Sequence, residues 1–444
     1  MKLKNISEQT IVITGATSGI GLTTARMAAK KGAKLVLVAR NETALRELAD
    51  ELSADGTRVI HSPGDVADET TMRRAAVIAK ANFGGFDTWV NNAGGSVYGR
   101  ITDVPIEDLR RLFETNVWGV VNGSRVAVEH LREHGGALIN VGSEVSDAAV
   151  PLQGMYSSSK HAVKGFTDAL RMELEADKLP ISVTLIKPTA IHTPFPENAK
   201  NYLPYEPQLP PPLYAPELVA EAILHCAENP VRDFFVGEMA KLHSSMALNT
   251  PRAYEKMNEM VIDSMQNSGM PALANRPDGL YETNSNLRER GAKSRFVLEE
   301  SLYQRAKMHP VIFGALAIGS VVALGAVLNS RNKTKKPEIQ KYIGKKTRRK
   351  LMPNANQEMR EDANQKIREH MEVIGADGAH VGTVDGVVAD QIKLTRKDSA
   401  DGQHHFIAMN LIESVERDQI VLRQNADEIR RNFRSGGESF TAKA

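Results

Sequence analysis

The chain has 444 residues, room for two or three domains at roughly 100–200 residues each. Apolar residues make up 41% and charged residues 25%, which excludes wholesale disorder and fibrous architecture. The 56 basic and 54 acidic residues leave a net charge of +2, so there is no whole-protein basic field for nucleic acid. The single cysteine, Cys226, excludes an intrachain disulfide and a zinc site built from several cysteines, and it fits a reducing compartment. The N-terminal ten residues lack the apolar core of a secretory signal.

Residues 7–240 alternate short apolar runs with segments of helical period. Ile11–Thr14, Lys34–Val38, Arg58–His61, Trp89–Asn91, Ala137–Val141 and Ser182–Ile186 read as strands, each followed by enough chain for a helix. That rhythm predicts an α/β fold, a doubly wound parallel sheet of the Rossmann type with helices on both faces. Eight prolines between 194 and 216 exclude a regular helix or central strand and predict a long surface loop over a site. Residues 241–309 read as a partly helical extension and linker. Residues 310–329 read as a hydrophobic helix, and 330–356 as a basic linker. Residues 357–434 read as a small β-barrel-like module with flanking helices, closed by a tail at 435–444.

The first strand runs into Thr14-Gly15-Ala16-Thr17-Ser18-Gly19-Ile20-Gly21. A glycine-rich turn between strand and helix lets the backbone approach a pyrophosphate, and the helix N-terminus offers N–H donors and the positive end of its dipole. Where an acidic residue would hold a ribose 2′-hydroxyl, the second strand ends in Arg40. An arginine there suits a 2′-phosphate, which favours NADP(H) over NAD(H); the alternative is a solvated strand-end residue. Further on come Asn91-Asn92-Ala93-Gly94, then Ser143 after the fifth strand, then Tyr156 and Lys160. Spacing of four puts the last two on one helical face. An ammonium beside a phenol lowers its pKa from about 10 and makes it a general acid or base. Each feature alone has a bland alternative: a solvated helix face for the pair, a turn or cap residue for the serine.

Taken in this order, the features resemble the short-chain dehydrogenase/reductase family over about residues 7–240. The matching residues are Thr14-Gly15-x-x-x-Gly19-x-Gly21, Asp65, Asn91-Asn92-Ala93-Gly94, Asn116, Ser143 and Tyr156-x-x-x-Lys160. The resemblance implies hydride transfer between a nicotinamide cofactor and a carbonyl or alcohol substrate. Tyr156 would pass the proton, and Ser143 would orient the substrate oxygen. Lys160 would hold the nicotinamide ribose and lower the tyrosine pKa, and Asn116 would anchor a water beside it. The Gly-rich turn with Ser18 and Ile20, then Arg40, Asp65 and Val66 near the adenine, and Asn92, Ala93, Gly94, Pro188 and Thr193, would complete the cofactor site. The family's usual Pro-Gly after the sixth strand is here Pro188-Thr189, with Thr193 where a nicotinamide-amide contact is expected. The resemblance assigns no role to His161 or His192 and no metal, and it implies a homo-dimer or homo-tetramer.

Val311–Leu328 holds eighteen residues without a charge, about 27 Å as a helix against a hydrocarbon core of about 30 Å. Ala315, Gly319 and Ala323 give it the small-residue spacing of packed membrane helices, and ten Lys or Arg follow in 331–350. The expected location is the cytoplasmic face of a membrane, through a re-entrant or interfacial insertion, with the basic run on anionic headgroups. The alternatives are a helix buried in protein and a soluble cytoplasmic chain. Residues 370–424 resemble PRC-barrel-like assembly modules; turns are expected at Asp377-Gly378, Asp385-Gly386 and Asp401-Gly402, and His380, His404 and His405 read as turn and strand-edge residues. The reading favoured overall is an NADP(H)-dependent oxidoreductase. The alternative is a non-catalytic NADP(H)-binding sensor or membrane-tethered scaffold. Phe195, Tyr202, Leu203, Tyr205, Leu209, Leu213 and Tyr214 in the proline-rich loop point to a hydrophobic substrate.

Overall fold

The computed structural model of the chain describes residues 2–308, apart from 275, 277, 284–286 and 293–295, and residues 367–434, apart from 389–390, 399–401 and 416–417. Among the described residues no helix is long and apolar enough to cross a membrane, and the apolar run and basic linker lie outside them.

In the first unit, β1 (Thr10–Thr14), β2 (Lys34–Ala39), β3 (Val59–Pro63), β4 (Thr88–Asn91), β5 (Gly136–Val141), β6 (Ile181–Pro188) and β7 (Asp233–Val236) form one sheet. Its order is β3-β2-β1-β4-β5-β6-β7, with every neighbouring pair parallel. Six of these strands match the expected ones to within a few residues; β7 was not anticipated. Alternate side chains of the central strands enter two separate cores. Ile11, Ile13, Leu35 and Leu37 pack on one face, and Val12, Val36, Val38 and Trp89 on the other. A parallel sheet covered on both faces has no polar side, which is why these strands read as continuous apolar runs.

The helices are α1 (Gly19–Lys30), α2 (Glu42–Ala54), α3 (Glu69–Phe83), α4 (Ile106–Phe113), α5 (Gly119–His134), α6 (Gly154–Ala176) and α7 (Pro216–Glu228). The last is apolar nearly all round, from Leu218 to Ala227, and packs against α1 inside the larger core. The strand order reverses between β1 and β4, so their C-terminal ends open a crevice, the place where open α/β sheets bind ligands.

Residues 241–309, expected as a partly helical extension and linker, are partly helical. Two helices, α8 (Glu238–Asn249) and α9 (Pro251–Gln266), continue the same unit, and Tyr254 and Leu280 are buried in it. The proline-rich loop is organised by pairing with chain far away in sequence. Lys200–Asn201 pairs with Val97–Tyr98, Tyr205–Pro207 with Asn267–Pro271, and Leu213–Tyr214 with Val297–Leu298. Such long-range partners leave no local signal, so neither segment is legible alone. Helix α10 (Leu302–Met308) closes this part.

The second unit contains a six-stranded sheet of β8 (Glu372–Ile374), β9 (His380–Val388), β10 (Gln391–Leu394), β11 (Phe406–Ala408), β12 (Ile412–Val415) and β13 (Gln419–Leu422), in the order β11-β10-β9-β8-β13-β12. Its core joins Val373, Val381, Ile392, Leu394 and Ile420 to Ile429 of α11 (Ala426–Arg434). Gly378 takes the left-handed conformation of a turn. Asp385-Gly386 is not the expected turn; it lies within β9, where the register against β10 shifts as at a bulge. His380 pairs with Glu372 at 2.9 Å, and His404 lies 3.7 Å from Asp385. Among the described residues no three metal-ligating side chains converge.

Candidate active site

The crevice at the β1–β4 switch point continues into a deep cleft that receives residues from both ends of the expected cofactor site. Gly15, Ser18, Gly19, Ile20, Arg40, Asp65 and Val66 line one end; Ser143, Tyr156, Lys160, Pro188 and Thr193 line the other, with Asn92, Ala93 and Gly94 between them. Gly15 has a positive φ of 67°, and a Cβ there would stand 2.9 Å from Ala93 Cα. A Cβ on Gly21 would stand 2.1 Å from the Gly15 carbonyl oxygen, so α1 approaches the turn as closely as it does only because residue 21 is glycine. The Thr14 hydroxyl donates to Val90 O at 3.2 Å and accepts from the N–H groups of Asn92 and Ala93, tying β1 to β4. Asn92 Nδ2 donates to Thr14 O and Gly15 O, so its side chain fixes the turn.

At the opposite end, Ser143 follows β5 and caps a short helical turn, accepting from Val145 N–H at 3.3 Å. Its hydroxyl donates to Pro188 O at 3.5 Å and stands close enough to the Tyr156 phenol to favour phenolate there. Lys160, one turn along α6, is buried; its ammonium donates to Val141 O at 2.8 Å and lies 5.8 Å from the centre of the Tyr156 ring. Phe195 stands 5.5 Å from the same ring, centre to centre. Asn116 is fully buried in a one-turn π-bulge, Glu114–Trp118, between α4 and α5. It accepts from Gly95 N–H at 2.9 Å and donates to Gly95 O and Ser159 Oγ, each at 3.0 Å. Bulges of this kind recur at functional sites because they re-aim a side chain within a helix.

Beside Lys160 a fall in the tyrosine pKa is expected; the net shift runs the other way. Burial dominates and pushes Tyr156 up to about 12, against the Ser143 hydroxyl; the Glu144 carboxylate adds to the rise. Burial also pushes Lys160 down to about 8. Both shifts have one origin: a dry site disfavours phenolate and ammonium alike.

Other residues entered the site without a sequence signal strong enough to find them. Arg111 of α4 forms an ion pair with Asp65. Arg40 donates to the carbonyls of Leu280 at 3.1 Å, Gly279 at 2.5 Å and Glu282 at 2.9 Å. Glu144 meets His243 at 2.9 Å, which raises the histidine pKa. Gln266, at the end of α9, donates to Gln153 at 3.3 Å, and Gln153 donates to Ser96 at 2.9 Å. Only Glu144 could have been flagged, as the neighbour of Ser143. The apolar lining expected from the proline-rich loop is met in part: Phe195 and Leu209 reach the cleft, whereas Tyr202, Leu203, Tyr205, Leu213 and Tyr214 do not, and Val145, Val150 and Pro210 share its wall with Ser96, Glu144, Gln153 and Gln266. His161 turns back to Ser157 O of its own helix.

A family model described as short chain dehydrogenase matches residues 9–202, and one described as an uncharacterized protein conserved in bacteria (DUF2171) matches 367–430, the β-rich module. The chain is 44% identical over 324 residues to an uncharacterized oxidoreductase, YxnA, of Bacillus subtilis, covering 72% of this chain and 91% of that protein. It is 38% identical over 194 residues to a mouse dehydrogenase/reductase SDR family member 7B, 43% of this chain and 59% of that one. A short chain dehydrogenase from Burkholderia cenocepacia, solved with NADP, superposes with a TM-score of 0.49 at 26% identity over 57% of this chain and 99% of its own. With a close relative matched along nine-tenths of its length, and with the glycine turn, serine, tyrosine and lysine meeting in one cleft, this chain belongs to the short-chain dehydrogenase family of oxidoreductases.

Proposed function

We propose that the first unit transfers a hydride between NADP(H) and a carbonyl or alcohol substrate. The observation that carries this reading is the convergence of Ser143, Tyr156 and a buried Lys160 in the cleft that begins at the Gly15–Gly21 turn. The residues fit a nicotinamide dinucleotide. Gly15 and Gly21 let the turn pack closely on Ala93 and on α1, which sets the N-terminus of α1 at the cleft where a pyrophosphate would lie, and Asp65 and Val66 border the adenosine end, with Arg40 at the strand tip. The cofactor, when bound, supplies the hydride chemistry.

The chain's own residues handle the oxygen and the proton. Ser143 and Tyr156 hydroxyls bracket the substrate oxygen, and Tyr156 donates to it during reduction. A phenol held near 12 keeps its proton until the developing alkoxide takes it. The phenolate then forms beside the Lys160 ammonium, which stabilises it where little water does. Asn116, bonded to Gly95 and Ser159, holds the backbone beside Lys160 in place. Thr193 packs against Gly19 and borders the nicotinamide end.

The two pKa shifts predict the pH profile. Tyr156 stays protonated across the working range, so the alkaline limb of carbonyl reduction follows Lys160 and the rate falls as pH rises through about 8. A kcat profile between pH 6 and 10 with NADPH tests this; a profile flat through pH 8 removes the charged lysine from the mechanism. Comparison of NADPH and NADH across a carbonyl panel tests the cofactor choice, and turnover confined to NADH would overturn the argument from Arg40.

The expectations of membrane contact through 310–329 and of a homo-dimer or homo-tetramer are part of the proposal. Vesicle flotation and light scattering test them. The β-rich module is proposed as an assembly or binding element without catalysis.

A further inference from the structure

The groups expected to hold the adenosine end of the cofactor already have partners, and most of those partners come from one later stretch of chain. Gly279, Leu280 and Thr283 line the mouth of that end, and residues 287–292 pass the N-terminus of α1 beside Thr193 and Glu197. Arg40 donates to three carbonyl oxygens of this strap, at Gly279, Leu280 and Glu282. Gly19 N–H, at the start of α1, donates to Arg288 O at 2.9 Å. Arg111, the partner of Asp65, also donates to Leu280 O at 3.2 Å. A carbonyl oxygen is an acceptor, as phosphate oxygens are. The strap thus presents acceptors to the arginine suited to a 2′-phosphate and to a helix N-terminus suited to a pyrophosphate.

We propose that this strap is an internal competitor for the adenosine end of the cofactor site, and that it determines both nucleotide affinity and the preference for a 2′-phosphate. The inference rests on the nicotinamide-cofactor reading above. A nucleotide carrying the 2′-phosphate must take Arg40 from three carbonyls, whereas one without it need only displace Arg288 O from Gly19. Affinity for either is reduced by the fraction of chains in which the strap has lifted, and the loss is larger for the phosphorylated one.

The strap is held down by side chains that stay out of the cleft. Glu289 accepts from Arg26 at 2.6 Å and from Thr23 Oγ1 at 3.2 Å; Tyr281 donates to Asp108 at 2.8 Å; Asp278 pairs with Lys200 at 2.9 Å. These anchors can be loosened without touching a group that faces the cofactor.

The experiment is a fluorescence titration of the full chain with NADPH and with NADH, in wild type and in the Tyr281→Phe/Glu289→Gln variant. Minor conformers commonly hold 0.1–10% of a population, so the expected gain in NADPH affinity is at least ~10-fold, with a smaller gain for NADH. Equal or weaker NADPH binding in the variant overturns the proposal, because a strap that clamps the cofactor predicts that sign. A second variant works in the other direction. Asn41 Nδ2 and Thr283 Oγ1 stand 3.5 Å apart, so an Asn41→Cys/Thr283→Cys disulfide locks the strap down. Oxidised, this variant is expected to lose NADPH binding and to regain it on reduction; equal binding in both states overturns the proposal. If no form binds either nucleotide, the cofactor reading itself falls, and the strap's role with it.

Discussion

Replacing Tyr156 by phenylalanine is expected to lower turnover by about 10²–10⁴-fold, the range a positioned proton donor supplies, with nucleotide affinity and folding unchanged. The ring is partly buried and stands beside Phe195, and the substitution removes one oxygen and adds nothing. What it removes is the hydroxyl next to Ser143 on the ring whose centre lies 5.8 Å from the Lys160 ammonium. Ser143 keeps its bond from Val145 N–H and Lys160 keeps Val141 O, so the rest of the site has no reason to move. Steady-state assay with a reducible carbonyl and titration with NADPH separate the two effects. A variant that retains more than about a tenth of wild-type turnover assigns the proton to another group. One that loses cofactor binding as well makes the tyrosine a structural residue.

The convergence of these residues in one cleft was legible because they sit at fixed short distances from strand ends. Gly15 to Gly21 follow β1, Ser143 follows β5, and Tyr156 and Lys160 share one helical turn. Local spacing therefore carries the geometry. The sheet was legible for a similar reason, since strands buried on both faces read as apolar runs. The rest depends on contacts that spacing does not encode. Arg40 looked like a free strand-tip cation, but three carbonyls some 240 positions later take its donors. Residues 241–309 read as a partly helical extension and linker because some of their partners, Tyr205–Pro207 and the Glu144 turn, lie far upstream. The direction of the tyrosine shift also escaped the sequence. Proximity to a lysine predicts a fall, whereas burial, visible only in the fold, pushes the phenol up.

Burial also singles out the pair whose loss should destabilise the first unit most. Asp147 and Lys187 meet at 2.9 Å with side chains only 4% and 5% exposed. Asp147 also accepts from Ser244 Oγ at 2.7 Å, which joins the turn after Ser143 to α8. Lys187 lies 4.8 Å from the centre of the Phe235 ring and 3.6 Å from Asp233. Removing one member of a buried pair leaves an uncompensated charge in a low-dielectric setting, which costs about 3–5 kcal/mol. Because Asp233 remains within reach of the lysine, Asp147→Ala is expected at the lower end, about 3 kcal/mol. Replacing both charges, as in Asp147→Ala/Lys187→Met, should recover most of that loss, since the desolvation of each ion goes with it. Trp89 and Trp118, the chain's two tryptophans, both lie in the first unit, so their fluorescence in a denaturant titration follows that unit alone. A single variant within about 1 kcal/mol of wild type would mean that water reaches the pair. A double variant no more stable than the single one would mean that the pair itself holds the Ser143 turn on α8, and its turnover should then fall with its stability.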